Sequence, residues 1–142
     1  QFHDYHIAYD KVDLPNVNIF KDQIKVLADF LANATPSGEQ AKNMDFLLTL
    51  GELFTLVAYG QLLLEKYDMK DVKEDLIEQI FDFMIRDFSK HALALKLKPD
   101  TTEEQMEYCM KMIAKPVFDR DRFMRIWENH VYALRDTYEM NP

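Results

Sequence analysis

Glycine, proline and cysteine are all scarce here, and each shortage excludes something. Three glycines and five prolines in 142 residues are too few for the many tight turns of an all-β domain. The glycines, Gly38, Gly51 and Gly60, are scattered, so no glycine-rich loop can cradle a phosphate. No G-x-S-x-G elbow occurs either. The single cysteine, Cys109, excludes an internal disulfide and fits a reducing compartment. It has no His or Asp within one helical turn, so it reads as a half-buried apolar residue rather than a reactive thiol. An excess of basic charge is missing too. Lys and Arg number 17 against 25 Asp and Glu, giving a net charge of -8, which repels phosphate backbones and argues against a nucleic-acid partner. The chain opens on Gln1 with no basic stretch leading into an apolar run and a small-residue cleavage site. No signal peptide is visible and a cytoplasmic location is expected; the missing Met fits a piece of something longer, and equally processing or disordered residues ahead of Gln1.

What is present is helix-forming. Hydrophobic residues make up 48%, enough for one packed domain, and Leu, Met, Glu, Lys and Gln abound. Residues 1–15 are aromatic and polar, show no helical period and end at Pro15. They are expected to form an extended arm or linker, with 16–142 a single helical-bundle domain. A first helix spans about 17–34, with Phe20, Ile24, Leu27, Leu31 and Ala34 in one stripe. A second spans about 39–67. Its stretch 46–64 carries one charge, Glu52. Thr49, Glu52, Thr55 and Gln61 interrupt the run, so a membrane span is not expected and a central helix buried on most sides is. Lys42, Asp45, Thr49, Glu52 and Tyr59 form its narrow polar stripe. Gly51 and Ala58 share a face and should admit a neighbouring helix closely, so that Gly51→Leu overpacks. A third helix, about 71–97, lines up Ile77, Phe81, Met84, Phe88, His91 or Ala92, and Leu95. A short fourth starts at a capping box, Thr101 or Thr102 with Glu104 or Gln105, and ends before Pro116. A fifth, about 119–138, aligns Phe123, Trp127, Val131, Leu134 and Tyr138. The expected fold is an all-α antiparallel bundle of about four long helices plus one short helix, with an extended N-terminal arm.

Few constellations could carry chemistry. A di-iron site needs Glu-x-x-His pairs, and none occurs. His3 and His6 share no face without a helix, and Glu128 and His130 are two apart. Asp87 and His91, four apart, read as a local pair. Glu52 is the one acid/base candidate, and its place on the polar stripe favours an exposed or interface-paired carboxylate. Lys111, Lys115, Arg120 and Arg122 could meet a phosphate or an acidic partner. Asp119, Asp121 and Glu128 among them make a solvated mixed-charge corner the better reading.

Several stretches resemble a known family. ANATP, then MDFLLTLGELFTLVAYGQLLLEK, KHALALKLKP, EQMEYCMKMIAKPVFD and the ending YALRDTYEMNP look like the extra C-terminal domain of a subset of bacterial acyl-CoA dehydrogenases. The similarity covers roughly 20–142, and its motifs are packing motifs. It implies a parent flavoprotein oxidoreductase of fatty acid β-oxidation. That enzyme uses FAD to take two hydrogens from a fatty acyl-CoA, giving a trans-2-enoyl-CoA, and passes electrons to a flavoprotein acceptor. The family's catalytic glutamate and flavin contacts lie in upstream domains, so no catalytic, cofactor-binding or metal residue is carried onto this chain. The implied partners are those upstream domains and a second copy. Residues 1–15 match nothing in the family and suit a linker. A free-standing helical module that binds a protein through an apolar groove, and a metal-bearing bundle, are the competing expectations.

Overall fold

The computed structural model describes residues 4–137, and among these there are helices and no β-strand. The helices are α1 (His6–Tyr9), α2 (Pro15–Asn33), α3 (Met44–Asp68), α4 (Glu74–Lys96), α5 (Glu103–Met112) and α6 (Arg120–Ile126). A 3₁₀ turn, Gln40–Lys42, precedes α3. After α6 come a π turn, Trp127–Val131, and a 3₁₀ turn, Tyr132–Leu134.

Local chemistry sets the boundaries. Pro15 opens α2, where its missing N–H costs nothing. Asn43 caps α3 by accepting from the Asp45 and Phe46 amides, so that helix begins five residues later than 39. The capping box falls on Thr102 and Gln105.

Side-chain bonds give the helix directions. Asn16 meets Glu78 and Gln23 meets Ile85, so α2 and α4 run the same way. Asp45 pairs with Lys98 just beyond α4, so α3 runs against α4. Gln105 bonds Ala34, and Gln23 bonds Met112, so α5 runs against α2. The result is an up-down-up-down helical bundle.

The central helix is α4, which packs against α2, α3, α5 and α6. Its stripe of Ile77, Phe81, Met84, Phe88, Ala92 and Leu95 is buried throughout. Phe20 of α2 meets Phe81 and Phe88 edge-on at 5.4 and 5.5 Å, pairs worth about 0.5–1.5 kcal/mol each beyond their area. The α2 stripe is buried at Phe20, Ile24 and Leu27 as its spacing requires.

Three expectations are corrected. The N-terminal arm is not extended: His6–Tyr9 form one helical turn, with Asp4 accepting from the His6 amide just ahead of it, and Ala8, Tyr9 and Val12 enter the core. The second helix, α3, is not buried on most sides. It buries one face (Phe46, Leu50, Leu53, Gly60 and Leu64) and leaves the other open. Being apolar on two opposite sides, it offers no single stripe from which the buried face could be chosen. The fifth helix is short, and Phe123, Trp127, Val131 and Leu134 stand exposed; Tyr138 lies outside the described residues.

Candidate interaction surface

The open face of α3 is the most unusual surface on the molecule. Met44, Leu48 and Leu62 are 66, 62 and 61% exposed, far more than a packed helix leaves uncovered. Between them, on the same face, sit Gly51, Thr55 and Ala58. A Cβ built at Gly51 meets nothing within 4 Å, so the close helix approach expected there does not occur among the described residues. The same geometry removes the overpacking expected of Gly51→Leu. Phe54 and Tyr59 flank the face and are exposed as well. Beside α1, Tyr5, Phe54, Val57 and Ala58 line a shallow apolar groove. By length and composition α3 could cross a membrane, with mean hydropathy 1.6. A single such helix with one face built into a bundle is weak support for a span.

The glycine that does permit a close approach is Gly60. Its position is filled by the Tyr9 hydroxyl and, at 3.1 Å, by the Met84 methyl. The same hydroxyl donates to the Val57 carbonyl at 2.7 Å. Burial pushes the Tyr9 phenol far above its ordinary range, so it remains a donor.

A second feature, a buried polar cluster, ties the C-terminal segment to the bundle. The Asn16 amide donates to both Glu78 carboxylate oxygens, at 3.1 and 3.2 Å. A carboxylate from α4 thereby caps the positive end of α2. The Asn16 side chain donates to the Glu78 and Val117 carbonyls and accepts from the Val117 amide at 2.8 Å. Arg122 reaches into this cluster, donating to Gln79 Oε1 at 3.3 Å. It also stands 3.7 Å from Glu78 and 3.5 Å from Asp82. Asp82 Oδ2 is buried and makes that ion pair without hydrogen-bond geometry, while Oδ1 accepts from Arg86 at 2.8 Å. Burial raises the Glu78 carboxyl, opposed by its bonds to the α2 amides and by Arg122. The sequence places Arg122 in a mixed-charge corner expected to be solvated. Arg122 is in fact buried.

The remaining candidates fall apart in space. Glu52 is exposed, and Thr49, assigned to the same polar stripe, is buried and bonds back to the Asp45 carbonyl. Lys111 lies over the Tyr108 ring at 5.3 Å, and Lys115 and Arg120 are exposed. The corner therefore splits into solvated cations and one internal arginine. His6 sits 3.9 Å from Asp10 on the surface, and His3 lies outside the described residues. Asp87, Glu128 and His130 are exposed and His91 half-buried. Among the described residues no group of three or more His, Cys, Asp or Glu is placed to hold a metal ion. Cys109 is fully buried rather than half-buried, and burial pushes its thiol up to about 11, which suppresses the thiolate. An exposed bidentate pair joins Arg125 to Asp75 at 2.8 Å. It holds the Asp75 carboxyl below its usual range.

The arrangement is suited to packing against another surface, with acid, base and nucleophile dispersed. No protein-family model, curated protein or solved structure matches the chain.

Proposed function

We propose that this chain is an assembly domain that makes no chemistry of its own and docks onto a larger protein. The observation that carries this reading is the pair of apolar surfaces the chain leaves uncovered. One is the face of α3, and the other is the Phe123, Trp127, Val131 and Leu134 side of the C-terminal segment. The sequence resemblance suggests what the larger protein is: a cytoplasmic FAD-dependent acyl-CoA dehydrogenase whose upstream domains bind flavin and acyl-CoA. No residue of this chain is assigned to either ligand. On this reading the uncovered surfaces are where the upstream domains, or a second copy, pack.

The test has two parts. The reading frame around the codon for Gln1 should encode the upstream dehydrogenase domains in frame. The purified chain should show no flavin absorption and no turnover of an acyl-CoA with an artificial electron acceptor. A yellow, active preparation of these residues alone would overturn the proposal. The same open α3 face also suits a free-standing helical module that binds a protein partner. A reading frame confined to this chain would favour that second reading.

A further inference from the structure

We infer that the open face of α3 is the seat for α3 of a second copy, packed antiparallel. The inference rests on the assembly reading and specifies one of its contacts.

The residues on this face follow a particular spacing. Met44, Leu48, Gly51, Thr55, Ala58 and Leu62 step by four, three, four, three and four. That is the alternation of a helix seam that meets another helix along its length. In a coiled coil such a seam faces its partner; here its large members are exposed, and among the described residues nothing lies within 4 Å of a Cβ at Gly51. The buried members of α3, Phe46, Leu50, Leu53 and Leu64, occupy the opposite side. The helix thus carries two apolar faces and uses one.

The order of sizes favours a copy of the same helix. Laid antiparallel with Met44 against Leu62 of the copy, Leu48 falls against Ala58 and Gly51 against Thr55. The Leu48–Ala58 and Gly51–Thr55 layers set a larger side chain against a smaller one, the Met44–Leu62 layer pairs two large ones, and a two-fold axis repeats every layer. No layer contains a charge; the carboxylate nearest the seam, Glu52, stays at the exposed rim, where water screens it from Glu52 of the copy. A parallel arrangement would instead set each end against its own kind, with aligned helix dipoles. A seam of this kind on a helix roughly 37 Å long covers an area near the lower end for specific association, and flanking Phe54 and Tyr59 widen it.

Sedimentation of the chain over a range of concentrations tests this. A monomer–dimer equilibrium is expected. Leu62→Glu should weaken it roughly 100-fold, because the axis places two substituted positions in one interface, with the helical circular dichroism and melting unchanged. Leu48→Cys and Ala58→Cys chains should form a disulfide when mixed and oxidised, and neither should do so alone. A monomer at every concentration, a dimer indifferent to Leu62→Glu, or self-crosslinking of Leu48→Cys alone would overturn the inference. Binding of the monomer to neutral phosphatidylcholine vesicles, abolished by Leu62→Glu, would also overturn it, by assigning the face to a lipid surface. A strictly monomeric, flavin-free chain sinks this inference and leaves the assembly reading standing. Flavin in the isolated chain sinks the assembly reading itself.

Discussion

The Tyr9 hydroxyl occupies the space where a side chain at Gly60 would begin, and it is held there by its bond to the Val57 carbonyl. An alanine at 60 must therefore displace Tyr9 and crowd the Met84 methyl. Gly60→Ala is expected to lower stability by about 1–3 kcal/mol, despite alanine's better helix propensity. Gly51→Ala, with open space above it, should raise stability by up to about 1 kcal/mol. Urea unfolding of the two variants checks both signs. Equal effects at the two glycines would contradict the packing described.

Arg122 stands between two buried carboxylates. Arg122→Met keeps the bulk and removes the charge, leaving Glu78 and Asp82 facing each other's field. Glu78 retains Asn16 and Asp82 retains Arg86, so the loss should fall near about 3 kcal/mol, the lower part of the range for a broken buried pair. Limited proteolysis should then cut near 113–119 sooner than in the parent chain. A variant as stable and as resistant as the parent would show that Arg122 is not a tie.

Glu78 gives a pH signature. Its carboxyl is raised in the folded state, so its contribution to stability is fully present below its unfolded value and is lost as pH rises through the folded one. Glu78→Gln keeps an acceptor for the Asn16 amide and removes the titration. The stability gained relative to the parent should be largest at neutral pH and shrink on acidification. Thermal melts across the carboxylate range measure this; a difference that grows as pH falls would reverse the assignment. Asp75, lowered by its Arg125 hydrogen bond, has the opposite sign and weakens the fold as pH falls.

Trp127 is the single tryptophan and is 45% exposed. Its fluorescence should be quenched readily by iodide and emit near the wavelength of indole in water. If the C-terminal stripe is covered on assembly, quenching should drop when the chain joins its partner. Strong protection in the isolated monomer would contradict the exposed segment.

Where apolar residues form a stripe, the sequence was a sufficient guide. The α4 stripe from Ile77 to Leu95 and the Phe20, Ile24 and Leu27 line of α2 are buried as their spacing requires. The Thr102–Gln105 cap also lies where it was expected. Periodicity was no guide for α3, because a helix apolar on both sides does not say which side its own chain will cover. Gly51 and Gly60 look alike in sequence and differ through Tyr9 and Met84, residues far along the chain that pack on Gly60 alone. Arg122 and Glu78 were unreadable for the same reason: a buried pair 44 positions apart leaves no local pattern. The C-terminal stripe shows the converse, since Phe123 and Trp127 keep helical spacing yet stand exposed among the described residues.

Between α5 and α6 the backbone follows no regular element, yet two of its amides have fixed acceptors. The Ala114 N–H donates to Ser89 Oγ and the Val117 N–H to Asn16 Oδ1. Deuterium should therefore enter these two sites slowly although neither belongs to a helix. Ser89→Ala should speed incorporation at 114 and leave 117 slow, and Asn16→Ala should do the reverse. The strand of chain leading to α6 is stapled by side chains rather than by backbone, so it can be loosened one staple at a time.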